Sequence, residues 1–126
     1  MTFPSTTAIR LLNHQVDIVA CNYNRRSQPV KTVAYKNIND WDSWLPMEME
    51  NELIQVQGVG MGCMLMKTDV FYKLSKPYFE FRYKADTDDY FGEDFILQGK
   101  LRELGYEINI DTVLSMEIKH LGTMAF

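Results

Sequence analysis

The chain has 126 residues, of which 46% are apolar, 24% charged and 13% aromatic. That is enough for one domain with a core and too short for two. The formal net charge is −4 and Arg25-Arg26 is the only adjacent basic pair, so a broad phosphate-binding face, and with it nucleic acid, is excluded as a first reading.

Three further absences narrow the class. No apolar run approaches the roughly 20 residues of a membrane-spanning helix. The start, MTFPSTT, lacks the basic and apolar regions of a signal peptide. Cys21 and Cys63 each sit inside an apolar run, which suits buried, reduced thiols rather than a disulfide or a metal pair. A cytoplasmic chain is the expectation.

In chain order, Thr6 to His14 predicts a short helix, with Pro4 and Ser5 marking its start. Asp17 to Asn22 (DIVACN) is an apolar run of strand length, residues 24–31 are loop, and Thr32 to Tyr35 predicts a second strand. Residues 37–50 (NINDWDSWLPMEME) are acidic around Trp41 and Trp44 and predict a surface excursion. Glu52 to Val59 alternates and predicts a strand. Cys63 to Met66 is apolar again, and Thr68 opens a short helix through Leu74.

Residues 78–84 (YFEFRYK) alternate aromatic and charged side chains, as an edge or half-buried strand does, and an acidic loop, ADTDDYFGED, follows. A helix from Glu93 to Leu104 places Ile96, Leu97, Leu101 and Leu104 on one face, and Gly105 fits the left-handed position that ends it. Tyr106 to Ile110 and Val113 to Ile118 predict two last strands joined by Asp111-Thr112. Helices and strands mixed in this way predict an α/β layered sheet in a single domain over 1–126.

Three stretches carry candidate chemistry. Glu93 and Asp94 stand in the first turn of a helix. Acids there are stabilised by about 0.3–1 kcal/mol each, which accounts for them without any function. The sharper reading sets Asp94 at a helix mouth opening onto a sheet edge, where α/β folds bind ligands and a carboxylate can take a proton from a hydroxyl. Gly92 would let the backbone turn sharply into that mouth.

In QGVGMGCMLMKTDVF the spacing fits neither a P-loop nor the dinucleotide fingerprint. Gly58, Gly60 and Gly62 recur at every second position, which lets a ligand or another backbone approach closely, or serves close packing alone. His120 follows the last expected strand, as an exposed or structural residue or as a site residue. His14 is given no role. Asp86, Asp88 and Asp89 read as a solvated loop or, in a weaker reading, as a small metal-binding loop.

Taken in order, these pieces resemble the C-terminal half of a GT-A fold glycosyltransferase of the family 2-like bacterial and phage type. MTFPSTTAIRLLNHQVDIVACNYNRR is similar to the helix and strand after that family's DxD motif. GVGMGCMLMKTDVFYKL is similar to its glycine-rich segment beside the donor sugar. GEDFILQGKLRELGYEINID is similar to its ED motif and following helix, and SMEIKHLGT to its closing strand with a terminal histidine.

The resemblance implies a partial GT-A layered mixed sheet flanked by helices, and transfer of a sugar from a nucleotide-sugar donor to an acceptor hydroxyl. Asp94 would be the general base of an inverting transfer, and Glu93 would support it or bind the acceptor. Gly60, Met61 and Gly62 would line the sugar pocket, with Trp41 and Trp44 stacking on the acceptor or packing a loop. His120 would be a further Mn²⁺ or Mg²⁺ ligand.

The family's DxD aspartates and nucleotide-binding half would precede Met1. The expectation is therefore a chain that binds no metal alone and is inactive alone, working with a separate N-terminal half. The alternative is a non-enzymatic remnant, oligomeric or carbohydrate-binding, that covers an exposed sheet edge by self-association.

Overall fold

In the computed structural model, which describes residues 1–122, the chain runs α1 (Thr7–Leu12), β1 (Ile18–Ala20), β2 (Ala34–Tyr35), β3 (Leu53–Val56), β4 (Gly58–Val59) and β5 (Met64–Met66). A 3₁₀ helix (Thr68–Tyr72) follows, then β6 (Arg82–Lys84), β7 (Asp89–Phe91), α2 (Glu93–Glu103), β8 (Ile108–Asp111) and α3 (Thr112–Ser115).

Four strands form a mixed sheet in the order β3-β8-β1-β5. The central pair, β1 and β8, is parallel, and the outer strands run antiparallel to their neighbours. Every residue of β1 and β8 is buried, as strands covered on both faces must be; β1 reads as an unbroken apolar run, whereas β8 (INID) alternates and buries Asn109 and Asp111 with hydrogen-bond partners.

Side chains leave the sheet alternately. Ile18, Ala20, Ile108 and Ile110 join Leu97 and Leu101 of α2 in one core. Val19 and Cys21 join Leu11 of α1 and Leu114 of α3 in a second. The α/β expectation holds as a mixed sheet covered by helices on both faces.

Several expected elements take other forms. Glu52 to Val59 is not one strand. It divides at Gln57, so that β3 pairs with β8 while β4 pairs with β2 in a separate two-stranded ribbon. Gly58 leaves room for the packing around β4, since a Cβ there would lie 2.6 Å from Phe95 Cδ1 and 2.8 Å from Ile38 Cγ2. The stretch opened by Thr68 is a 3₁₀ helix ending at Tyr72.

The acidic loop contains a strand, because Asp89–Phe91 pairs with Arg82–Lys84 as a hairpin. Val113 to Ile118 is helix and turn. The Asp111 carboxylate accepts the Leu114 N–H at 2.7 Å and so caps α3, and the buried residues become Leu114 and Ile118, four apart rather than two. Cys63 is half-buried, with its sulfur 3.6 Å from that of fully buried Cys21.

Helix α2 holds the largest surprise. Leu104, expected on its apolar face, is 46% exposed, while Gln98 is fully buried. The Gln98 amide pairs with a backbone edge: its Oε1 accepts the Val59 N–H at 2.9 Å and its Nε2 donates to the Val59 carbonyl at 2.6 Å. One side chain thus completes the hydrogen bonding of β4 and fixes α2 against it. Arg102 adds a bond from Nη1 to the Gln57 carbonyl at 2.6 Å. Gly105 ends the helix at φ +93° as expected.

Replacing Gln98 by Leu keeps the volume and strips β4 of both partners. Each buried backbone group left unpaired costs about 1–3 kcal/mol. Urea unfolding should therefore show the variant destabilised by about 2–6 kcal/mol. An unchanged midpoint would mean that β4 finds other partners.

Candidate functional site

A cleft of about 670 Å³ opens beyond the carboxyl end of β1. Tyr23, just after β1, Tyr35 of β2 and Gly60, just after β4, form its base. The start of α2 supplies Gly92, Asp94 and Phe95 on one side, with Trp41, Asp89 and Tyr90. Arg25, Arg26, Ser27 and His120 complete the lining. Crevices at the carboxyl ends of strands are where open α/β sheets bind ligands.

Asp94 and His120, far apart in sequence, thus face one cavity. Asp94 is partly buried at the helix mouth. Burial is the largest influence on its carboxyl and raises its pKa above the ordinary carboxylate value. The Phe95 N–H, 2.9 Å from Oδ1, opposes the rise, the charge of Glu93 adds to it, and the backbone N–H groups of Asp94 and Met61 oppose it again.

Gly92 makes no sharp turn. Its φ of −67° and ψ of 159° are open to any residue. Its role is space, since a Cβ there would come 3.1 Å from Asp94 Oδ1.

His120 is held by its neighbours. Backbone bonds between Thr2 and Lys119 at 2.8 and 3.1 Å anchor the segment before it. Its Nδ1 lies 3.2 Å from the Asn24 carbonyl oxygen, and its ring meets Tyr23 edge-on at 5.4 Å. Tyr23, which the sequence reading passed over, links the parts of the cleft. It is buried, its hydroxyl accepts the Gly62 N–H at 3.1 Å, and burial raises its pKa.

The remaining expected site residues divide. Trp41 lines the cleft, packed against Tyr35 at 5.0 Å and Phe95 at 5.7 Å, with the Lys84 ammonium over its ring at 5.3 Å. Trp44 does not line it and bridges the backbone of Tyr35 instead. Glu93 is exposed, points to no described partner in the cleft, and acts on Asp94 through its charge alone.

Gly60 lines the cleft, but the room it leaves is filled by the protein. A Cβ would lie 2.6 Å from the Tyr23 hydroxyl at Gly60 and at Gly62 alike. Met61 and Gly62 line a separate groove beside α1 with Phe3 and Leu65. The glycine pattern therefore serves close packing, and what approaches is the side chains of Phe95 and Tyr23 rather than another backbone. The sequence offered a signal for Arg25, Arg26 and Asp89 only as a basic pair and a solvated loop. Thr123, the last residue of the histidine-bearing segment, lies outside the described residues.

The metal implied by the resemblance is not accommodated by the described residues of the cleft. Among the described residues, the group of ligating atoms within 4.8 Å of one another is His14, Glu52 and Asp111, none of which lines the cleft. There the Asp111 carboxylate already serves two partners, the Leu114 N–H and His14 Nε2 at 2.7 Å. His14 thus has a structural role that the sequence reading did not assign.

No protein-family model and no curated protein matches the sequence. Among solved structures, A197 from STIV is similar at 16% identity and a TM-score of 0.48, over 87% of this chain and 47% of that one. The chain spans about half the length of that protein, and a likeness at this level transfers neither fold nor activity. No helix among the described residues is long and apolar enough to cross a membrane.

Two outcomes follow from the cleft. The raised pKa of Asp94 means that the folded state binds its proton more tightly than the unfolded chain does. The destabilisation is absent below the unfolded carboxyl value of about 3.9 and develops as pH rises through the folded value. Asp94→Asn should therefore melt higher than the parent at pH 7 and equal it near pH 3, by calorimetry. Gly60→Ala should lose about 1–3 kcal/mol, read by urea unfolding, because its methyl meets the Tyr23 hydroxyl.

Proposed function

We propose that the cleft is the acceptor side of a sugar-transfer site of the GT-A type. The observation that carries this reading is the convergence of Asp94 and His120, with Trp41, on one cavity at the carboxyl end of the sheet. In this reading an acceptor sugar lies against the Trp41 face with one hydroxyl at Asp94. The carboxylate takes the hydroxyl proton as the oxygen attacks the anomeric carbon of a nucleotide sugar. The new C–O bond forms while the bond to the diphosphate breaks, and the nucleoside diphosphate leaves with that electron pair.

Burial of Asp94 supports the assignment. It raises basicity towards the operating pH, and the N–H groups around the carboxylate keep it ionisable. Glu93 maintains this tuning by its charge. His120 is a positioning residue that holds Tyr23, and with it the base of the cleft. The donor diphosphate is not accounted for by residues of this sequence. A donor-binding half, on the same or another polypeptide, supplies that part and the divalent ion.

The test is transfer from labelled nucleotide sugars to acceptor glycosides in Mn²⁺, by the chain alone and together with the polypeptide encoded immediately upstream. Product is expected only in the combined reaction, falling by about 10²–10⁴-fold in Asp94→Asn. Its kcat/KM should rise with pH on an acid limb whose midpoint lies above the ordinary carboxylate range. No product in either arrangement, or product unaffected by Asp94→Asn, overturns the proposal.

A further inference from the structure

The β6–β7 hairpin has two unlike faces. Directly opposed residues of an antiparallel pair share a face, so Arg82 and Phe91, with Lys84 and Asp89, form one side and Tyr83 and Tyr90 the other. The first side is attached to the domain. Phe91 packs against Trp41 at 6.2 Å, and the Lys84 ammonium lies over the Phe91 ring at 4.4 Å. Arg82 and Lys100 both bond Glu80, at 2.8 and 3.0 Å.

The second side faces water although it is aromatic. Phe81 is 66% exposed, Tyr83 54% and Tyr90 62%, with the two tyrosine rings 5.4 Å apart. Three neighbouring exposed rings on one face form the kind of patch that marks an interaction site.

We propose that this face, continuous with the cleft through Tyr90, binds a neutral oligosaccharide chain whose terminal unit is the acceptor in the cleft. The inference rests on the sugar-transfer reading and names its acceptor class as a glycan rather than a single sugar. Continuity is the first argument. Tyr90 and Asp89 line the cleft that holds Asp94, while Tyr83, cross-strand from Tyr90, continues the surface outwards.

Composition is the second. Residues 79–92 (FEFRYKADTDDYFG) contain no Leu, Ile, Val or Met, the side chains that a docked helix or protein core would meet. They offer flat rings, which match the C–H faces of pyranoses, and carboxylates, which accept bonds from sugar hydroxyls. Asp88 already orients the Tyr83 hydroxyl, 2.6 Å from its Oδ1. Charge is the third. On the hairpin Arg82 is paired with Glu80, and Asp86, Asp88 and Asp89 outnumber Lys84, so this face disfavours phosphate and uronate, while Arg25 and Arg26 belong to the cleft beyond it.

The experiment measures binding of cello-, malto- and manno-oligosaccharides of increasing length to the full chain by saturation-transfer NMR and calorimetry. In the series that binds, affinity should rise by about tenfold or more between the monosaccharide and the tetrasaccharide. Tyr83→Ala and Phe81→Ala should each reduce that gain while leaving the monosaccharide unaffected, and Tyr83→Phe should keep it. An oligogalacturonate of equal length should bind more weakly.

Equal affinity at every length, or a gain that survives both alanine variants, overturns the hairpin inference and leaves the cleft reading intact. A tetrasaccharide that binds through Tyr83 while no monosaccharide binds supports the hairpin and counts against the cleft. No binding by any member of the panel overturns the inference outright.

Discussion

The buried amide of Gln98 is the constraint on which the site depends. A two-residue strand such as β4 has little pairing of its own, and its side away from β2 would present an unmatched N–H and C=O to an apolar interior. Gln98 sets its Oε1 acceptor and one of its two Nε2 donors at the spacing of a backbone edge, so a helix side chain replaces a neighbouring strand. A third bond runs from its Nε2 to the Asp94 carbonyl at 3.1 Å. The group that closes β4 therefore also grips the first turn of α2, where the carboxylate is presented.

The orientation of that turn sets the environment of the Asp94 carboxylate. Asp94 gains hydrogen bonds from helix-mouth amides and loses water, and the loss outweighs the gain. The carboxylate is hydrogen-bonded by backbone N–H groups but faces no cation among the described residues, so its burial is not offset by an ion pair. Such a group in a cleft supports the proposed role of Asp94 as a base, and structural networks can shift a carboxyl in the same way. Asp111, by contrast, is almost fully buried, but its carboxylate caps α3 and meets His14, so its burial reads as structural.

Small residues have a matching role. The rings of Tyr23 and Phe95 occupy the room left by Gly58, Gly60 and Gly62, and those rings shape the base of the cleft. Asn22, next to Tyr23, is buried and accepts the N–H groups of Val33 and Ala34 at 3.2 and 3.0 Å. It ties the end of β1 to the β2 ribbon, so that Tyr23 and Tyr35 face the same cavity. A polar side chain and three absent side chains together do what a continuous sheet would otherwise do.

Much of the framework was determined by the sequence alone. The unbroken apolar run of β1 marked a buried strand, because a strand covered on both faces needs no alternation, while the alternation of β8 marked a strand without showing that Asn109 and Asp111 are buried too. The acids, apolar spacing and glycine of α2 marked its start, its end and Ile96, Leu97 and Leu101 of its core face, though not the burial of Gln98 or the exposure of Leu104, since those signals arise within a single helix. Pairing and contact lie beyond local signals. Only the tertiary structure decided that Gln57 divides one alternating run between two sheets, that the acidic loop folds back as β7, and that Asp111 turns an expected strand into α3. It alone decided that Gly62, Trp44 and Glu93 stand outside the cleft while Tyr23 and Tyr90 line it. The physical reason is that propensity and periodicity act over a few residues. The partners of a backbone edge and the walls of a cavity come from segments tens of residues apart, whose packing no short stretch encodes.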